Sequence, residues 1–378
     1  MPLAVGHWCG YPQVRNLVRC VGLACQYSNM AAKQETSKLH HYVPQSYLRG
    51  FANENERLTV TKLPGHAKPF TTIVKNVGAQ THFHRVEELD PPDKFEGLLS
   101  DIEGSAQTVI RKLERGDDFP LTETERMTFG YFIALQAVRG PDTRRTSEMV
   151  HRQMVRMEVG SGGKANVAAW AKKNLGFEPT PGQAEKLWDQ VTQPGGPPIT
   201  FTNIVHIHHM LETALELLAY VLARPWALVR FENRSLITCD SPVTLVPDNA
   251  DDPHGGVGFR TARAITFPLT RKLGLLMADP IALIEAFDAD DPHIGHVREG
   301  VQRGDADTSQ VGTTALEKLF NHHTALNASE YLYYHPEDLR FVPKELHGPR
   351  LVTMSMGGGD MEFTGAPWFS PPLSEVEA

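Results

Sequence analysis

Cysteine is nearly absent from the body of this chain: Cys9, Cys20 and Cys25 crowd the first 25 residues, and only Cys239 lies beyond them. One cysteine cannot cross-link a core, so no disulfide framework holds the fold, and the composition fits a reducing, cytoplasmic setting. The leader cysteines and His7 have none of the spacings of a zinc knuckle, which sets aside a metal site there. Excess basic charge is missing too. With a net charge of -8 and a pI near 6.1, the chain has no global field to gather nucleic acid or anionic lipid. Long hydrophobic runs are also scarce. The signal-like stretch RNLVRCVGLAC (15–25) is interrupted by Arg19 and is too short to span a bilayer. Gly22 stands where a lipoprotein signal needs a branched aliphatic residue. Residues 1–29 therefore read as a disordered or spurious extension ahead of Met30. No nucleophile elbow, zincin helix or dinucleotide fingerprint occurs, and GSGGK (160–164) lacks the Ser or Thr that a P-loop needs after its lysine. These absences leave hydrolases built from dispersed residues.

What is present is ordinary globular material: 378 residues, 41% apolar and 22% charged, enough for a substantial core. RLTVTKL (57–63) and FTTIVKNV (70–77) read as a strand pair around a turn-rich loop. Residues 93–116 place Phe95, Leu99, Ile102, Ala106, Val109 and Leu113 on one helical face, stopped by Gly116. A capping box, Thr122 to Glu125, opens a nearly all-apolar helix that ends at Gly140-Pro141, with Gly130 allowing another element to approach. A more polar helix follows over 142–158, then a flexible loop at 160–164, two lesser helices, the breaker QPGGPP (193–198) and a long helix from Phe201. After Pro225 the texture turns to strands, closed by a helix over 308–327 and the strand EYLYYH. Strands and helices are segregated, which makes the fold α+β. One domain is expected over 30–342, helical at about 93–224 and β-rich at about 225–342, with a flexible Pro- and Gly-rich tail at 343–378.

The chemistry has few candidate carriers. In KLHHYVPQSYLRGF (38–51) the residue before Pro44 favours an extended arrival, so His40 and His41 point to opposite sides. Only one of them can face a given site, with Tyr42, Gln45 and Arg49 beside it. Asp240, in CDSPV, is either an active carboxylate fixed at a strand end or the cap of its own turn. Arg139 either clamps an anion or meets the C-terminal end of its helix. Glu96 and Glu103 lie two turns apart and read as a solvated helix edge. His206, His209, Glu212 and Glu216 also read as a polar face, since their order reverses the Glu-x-x-His of bundle metal sites. His322 and His323, adjacent on a helix, cannot both ligate one ion, and the two ADDPH repeats lack calcium-loop spacing.

HHYVPQSYLRGFA resembles the opening signature of a widespread, mostly bacterial family of domains of unknown function. FIALQAVRGPDTRR (132–145), LITCDSPVTLV, ITFPLT and LEKLFNHHTALNASEYLYY resemble its later motifs in order, so the likeness covers about residues 38–335. Cys239 stands where serine or threonine is expected. The resemblance implies a shared fold but supplies no reaction.

Two readings remain open. In the first, the protein is a cytoplasmic, metal-assisted hydrolase (phosphodiesterase or nuclease) acting on a phosphate-bearing, nucleotide-like small molecule. His41 then serves as base or ligand, Asp240 orients it or holds a divalent metal, and Arg139 neutralises the developing charge, with His40, Tyr42, Gln45 and Arg49 contacting substrate. In the second it is a non-catalytic binding or regulatory module, and the same motif is a structural corner packing Tyr42, Tyr47, Leu48 and Phe51. Nucleic-acid binding through Arg144, Arg145, Arg152 and Arg156 is disfavoured, because all four cannot share one helical face. No membrane partner is expected.

Overall fold

A single tyrosine of the opening motif joins the two main sheets. The computed structural model describes residues 38–65, 68–87, 89–116, 119–248, 257–285, 291, 293–348 and 363–367. The chain enters as β1 (Leu39–His41), and after Val43-Pro44 it coils into α1 (Gln45–Leu48) and one 3-10 turn (Arg49–Phe51). Tyr47 on α1 is fully buried, stacked on Phe267 with ring centroids 5.3 Å apart. Its hydroxyl donates to the Pro268 carbonyl (2.6 Å) and meets Thr238 Oγ1 at 2.7 Å.

Those two partners lie in different sheets. Strands β2 (Arg57–Lys62) and β3 (Phe70–Ile73) pair antiparallel, as their alternation and the turn between them imply. They join β11 (Tyr331–Tyr334) and β6 (Thr238–Cys239) in a four-stranded sheet ordered β3-β2-β11-β6. The other sheet runs β10-β5-β9-β8-β7 and comprises β5 (Trp226–Arg230), β7 (Thr244–Val246), β8 (Ala264–Thr270), β9 (Leu273–Ala278) and β10 (Thr308–Val311). Strand β4 (Ala79–Thr81) pairs antiparallel with β1, His40 opposite Gln80.

Helices fill the middle of the chain. In α2 (Lys94–Arg115), Phe95, Leu99, Ala106, Val109 and Leu113 are buried, and Gly116 closes the helix at φ +85°, where only glycine is unstrained. Helix α3 (Glu123–Val138) carries the expected capping box, with Glu125 N–H donating to Thr122 Oγ1 at 3.3 Å. Helix α4 (Pro141–Gly162) starts on its proline; α5 (Val167–Leu175), α6 (Pro181–Thr192) and α7 (Asn203–Leu222) follow. Helix α3 is buried nearly all round because α7 lies across it. A Cβ on Gly130 would come within 2.9 Å of Leu222 Cδ2, so that close approach depends on the missing side chain. Helices α8 (Ile281–Ile284), α9 (His293–Arg303) and α10 (Thr314–Asn327) complete the chain. The fold is mixed α+β, with a helix-rich middle and strands toward both ends.

Several boundaries differ from the sequence reading. GSGGK is not a loop throughout, since α4 runs on to Gly162. The helix expected over 308–327 begins only at Thr314, because residues 308–311 pair in parallel with β5. Backbone hydrogen bonds available at a sheet edge override a short stretch of weak helical pattern. Part of the tail is seated: the Lys164 N–H donates to the Gly365 carbonyl at 2.8 Å, and Phe363 packs with Val159, Val167, Trp188 and Val191. The leader, with its cysteines and signal-like run, lies outside the described residues, as does most of both ADDPH repeats.

Because the Tyr47 hydroxyl donates to Pro268 in one sheet and accepts from Thr238 in the other from within the core, Tyr47→Phe is expected to lower unfolding stability by about 1–3 kcal/mol, measured by urea denaturation. An unchanged midpoint would remove the tyrosine from its bridging role.

Candidate metal centre

Strand alternation separates the paired histidines. His41 turns toward the 3-10 turn at Val74–Asn76, and its Nε2 donates to the Lys75 carbonyl at 3.2 Å. Its Nδ1 then accepts from Gln45 Nε2 at 3.4 Å, so neither ring nitrogen has a free lone pair for base or ligand chemistry. Burial holds its pKa down to about 4; the Lys75 bond opposes this and Arg139 adds to it.

His40 faces the other way into a cluster of its own. Its Nδ1 accepts the His84 backbone N–H at 2.9 Å, which leaves Nε2 aimed at Asp93 Oδ1, 3.3 Å away. Around it stand His84, stacked with centroids 6.0 Å apart, and His82, edge-on at 6.2 Å. One ligand atom each from His40, His82 and Asp93 lie within 4.8 Å of one another, and the same holds for His40, His84 and Glu96. The second trio is occupied by its own bonding. His84 Nδ1 sits 2.5 Å from Glu96 Oε1, and His40 Nδ1 already accepts a proton. The first trio is different, because the buried His82 Nδ1 has no hydrogen-bond partner and Asp93 Oδ1 meets only the His40 Nε2–H, at 3.3 Å. Buried polar atoms are nearly always satisfied, so an unpaired imidazole nitrogen beside a carboxylate asks for an ion or a water.

Local structure builds this geometry. His82 follows β4 at φ +56°, a left-handed conformation that a non-glycine residue holds only when its surroundings impose it. Those surroundings are Asn203 Nδ2, donating to the carbonyls of His82 (3.1 Å) and Arg85 (2.8 Å), and the Lys38 carbonyl, accepting the His82 N–H at 2.8 Å. Arg144 donates to Asn203 Oδ1 (2.9 Å) and the Phe83 carbonyl (2.7 Å) and lies 3.5 Å from the Phe83 ring centroid. Asp93 comes from the start of α2, and Arg85 Nη1 holds its other oxygen at 3.4 Å.

Two carboxylates expected at a solvated edge are instead engaged. Glu103 receives Arg139 Nη1 at 2.7 Å, and Glu96 pairs with His84. Burial raises the Glu96 pKa to about 7, Arg139 opposing, and pushes that of His84 well below its ordinary value. The side chain of Glu96 is 32% exposed, so this proton-carrying pair reaches solvent. Beside His82 a surface cavity of about 620 Å³ is lined by Lys38, Arg85, Glu87, Thr202, Asn203 and Ile204.

The remaining candidates lie apart from this cluster or support it from behind. Asp240 is buried at the end of β6, where Oδ1 accepts from Ser329 N–H (2.7 Å) and Oδ2 from Glu330 (2.7 Å) and Tyr331 (3.1 Å). That is a clasp on the chain entering β11. Burial raises its pKa to about 7 against those three donors. Arg139 is buried, with Nη2 on the His41 carbonyl at 2.6 Å, and supports β1 instead of facing a ligand. Tyr42 packs against Phe83, and Arg49 pairs on the surface with Glu56 at 2.9 Å. Arg144, Arg145, Arg152 and Arg156 all bond within the chain, so they form no open basic stripe. His206 is buried against Glu148 at 3.2 Å, while His209, Glu212 and Glu216 are exposed.

The sequence reading missed His82, His84 and Asp93. The available signal was THFH (81–84), a His-x-His that follows a short strand candidate. Its partners lie about 40 residues back and 10 ahead, and only pairing of β1 with β4 reveals them.

Fold and site together define an α+β domain with a buried histidine–carboxylate centre. The chain belongs to the DUF4238 family, proteins of unknown function, whose model matches residues 39–338. This agrees with the family resemblance of the sequence motifs. No curated protein and no solved structure matches it. Among the described residues no helix is long and apolar enough to cross a membrane.

The His41 ring is expected to stay neutral on acidification to about pH 5, read by NMR from its ring protons; titration near 6.5 would contradict the buried pairing. The folded pKa lies below the unfolded one, so the unfolded chain takes up the proton first as pH falls. Stability from this group is therefore complete above about pH 6.5 and reduced by about 2 kcal/mol at pH 5.

Proposed function

We propose that the protein is a cytoplasmic, metal-assisted hydrolase of phosphate-bearing substrates, with His82 and Asp93 as metal ligands and His40, whose Nε2–H points at Asp93 Oδ1, orienting that carboxylate. The observation that carries this reading is the buried His82 Nδ1, which has no hydrogen-bond partner, grouped with Asp93, whose Oδ1 meets only the His40 ring, beside an open cavity. An imidazole and a carboxylate are ligand types that a zinc-type cation accepts, and they leave coordination positions for water and substrate. Such an ion polarises a phosphoryl oxygen and lowers the pKa of bound water. Arg85 on the cavity wall is paired with Glu87 at 2.7 Å, which leaves Lys38 among the lining residues to favour an anionic substrate. In the reaction, water oxygen bonds to phosphorus, the bond to the leaving alcohol breaks, and one proton passes from water to the alkoxide. Glu96, held near neutral pKa by burial and open to solvent, is the group suited to relay that proton. The buried free Cys239 accords with a reducing compartment.

A second reading has its own support. Both ring nitrogens of His41 and both Nη atoms of Arg139 are engaged in bonds around β1, which favours a structural corner in a non-catalytic binding or regulatory module. An ion at the same residues would then only clip β1, the loop after β4 and α2 together.

Metal analysis of the full chain from zinc-replete medium, with turnover of bis(p-nitrophenyl) phosphate, separates the two. Near-stoichiometric metal in the wild type, lost in His82→Ala and Asp93→Asn but kept in His41→Gln, is expected. Glu96→Gln should keep the metal and lose about 10–100-fold in turnover. Metal that raises the melting temperature with no turnover of any phosphoester would support the structural reading. No metal in the folded wild type would overturn the centre.

A further inference from the structure

The seated part of the tail fills a slot built from residues some 200 positions earlier in the chain. Helix α4 ends at Gly162, the chain reverses through Gly163 at φ +79°, and a 3-10 turn (Lys164–Asn166) leads into α5. With α6 packed against α4, these elements enclose an apolar cluster, Val159, Val167, Trp188 and Val191, that is separate from the main core. The Phe363 ring packs on this cluster. The buried Arg156 lies over the ring, 5.2 Å from its centroid, and donates its Nε to the Thr192 carbonyl at 3.1 Å.

The contacts fit the slot to this segment and not to any apolar chain. A Cβ on Gly160 would run into the Phe363 ring, so an aromatic plane lies against bare helix there. A Cβ on Gly163 would come within 2.7 Å of Pro367 N, so the two backbones also meet closely. Between these points the Lys164 N–H, at the start of the 3-10 turn, donates to the Gly365 carbonyl at 2.8 Å. Gly365 presents that carbonyl from φ +88°, a conformation that side chains resist. The pattern held is therefore aromatic, spacer, glycine, spacer, proline. Yet the segment is surface material: Thr364, Ala366 and Pro367 are exposed, and Phe363 is half-buried. Residues 349–362 separate it in sequence from Gly348. A ring anchor and a backbone bond on a separate small cluster make a dock that opens more readily than the core.

We propose that the slot between α4, α5 and α6 is a peptide-docking site for a short Phe-x-Gly-x-Pro segment, with this chain's own Phe363–Pro367 as its resident and exchangeable occupant. The proposal is independent of the metal centre. A tethered occupant competes at an effective concentration on the order of 1 mM, so a free segment of the same pattern enters only when the tail lifts.

The test uses the full chain and a fluorescent peptide of residues 360–369, with binding read by anisotropy. Phe363→Ala removes the resident anchor, and Gly365→Val loosens the tail while leaving the slot walls untouched. Both variants are expected to bind the peptide one to one, at least about 10-fold more tightly than the wild type does. The peptide carrying Phe363→Ala should bind them at least about 10-fold more weakly. Gly160→Ala added to the Phe363→Ala chain favours the helix but intrudes on the ring, and should weaken binding about 10-fold as well. No saturable binding to either folded variant overturns the docking site. Loss of the folded state in both variants makes the segment a part of the core, not an occupant, and overturns it too. A wild-type dimer that both variants turn into monomers assigns the tail to a second copy, and the proposal falls.

Discussion

A buried guanidinium is the constraint on which this site depends. Arg139, at the end of α3, gives one nitrogen to Glu103 on α2 and another to the His41 carbonyl on β1. A buried cation is tolerated only when its donors are met, so these partners set the distance between helix and strand. With β1 held by its carbonyl and extended, successive side chains must fall on opposite sides. His41 turns to Lys75 and Gln45, and His40 turns to Asp93, His82 and His84. The same arginine opposes the rise of the Glu96 pKa and lowers that of His41, so its charge shapes both sides of the strand.

The His82 loop carries the second constraint. Its left-handed residue is held by Asn203, and Asn203 by Arg144, which also stacks on Phe83. Burial lowers the Arg144 pKa to about 10, still far above neutrality, so the guanidinium stays charged and its bonds persist. Arg144, weighed in the sequence as part of an incomplete basic stripe, thus acts as an internal fastener for the His82 loop. A ligand cluster made of short-range imidazole and carboxylate contacts needs such fastening, because a displacement of about 1 Å is enough to spoil its geometry.

Much of the fold was legible in the residues. The Phe95-to-Leu113 stripe, the Thr122–Glu125 box, the Gly116 stop and the Gly130 contact follow from side-chain period and local stereochemistry, and each has its expected place. Boundaries failed where partners distant in sequence decided, as at 308–311, where pairing with β5 makes a strand. In the opening motif His41 was weighted over His40, although it is His40 that faces the carboxylates. Alternation says that the two part company and does not say which side holds the carboxylates. Glu96 and Glu103 were read as solvated because a helix wheel records spacing and is blind to the strand and arginine packed against it.

The sequence by itself determined the α+β class, the helical faces, the caps and the paucity of cysteine, since all of these are set by neighbours within a few residues. It also carried the family, whose model matches residues 39–338. Only the tertiary structure decided the site. His40, His82 and the Asp93–Glu96 turn lie on three separate elements, and the pairing of β1 with β4 beside the start of α2 brings them within reach of one another. Burial then decided their chemistry, because loss of water shifts proton affinities in ways that no side chain shows alone.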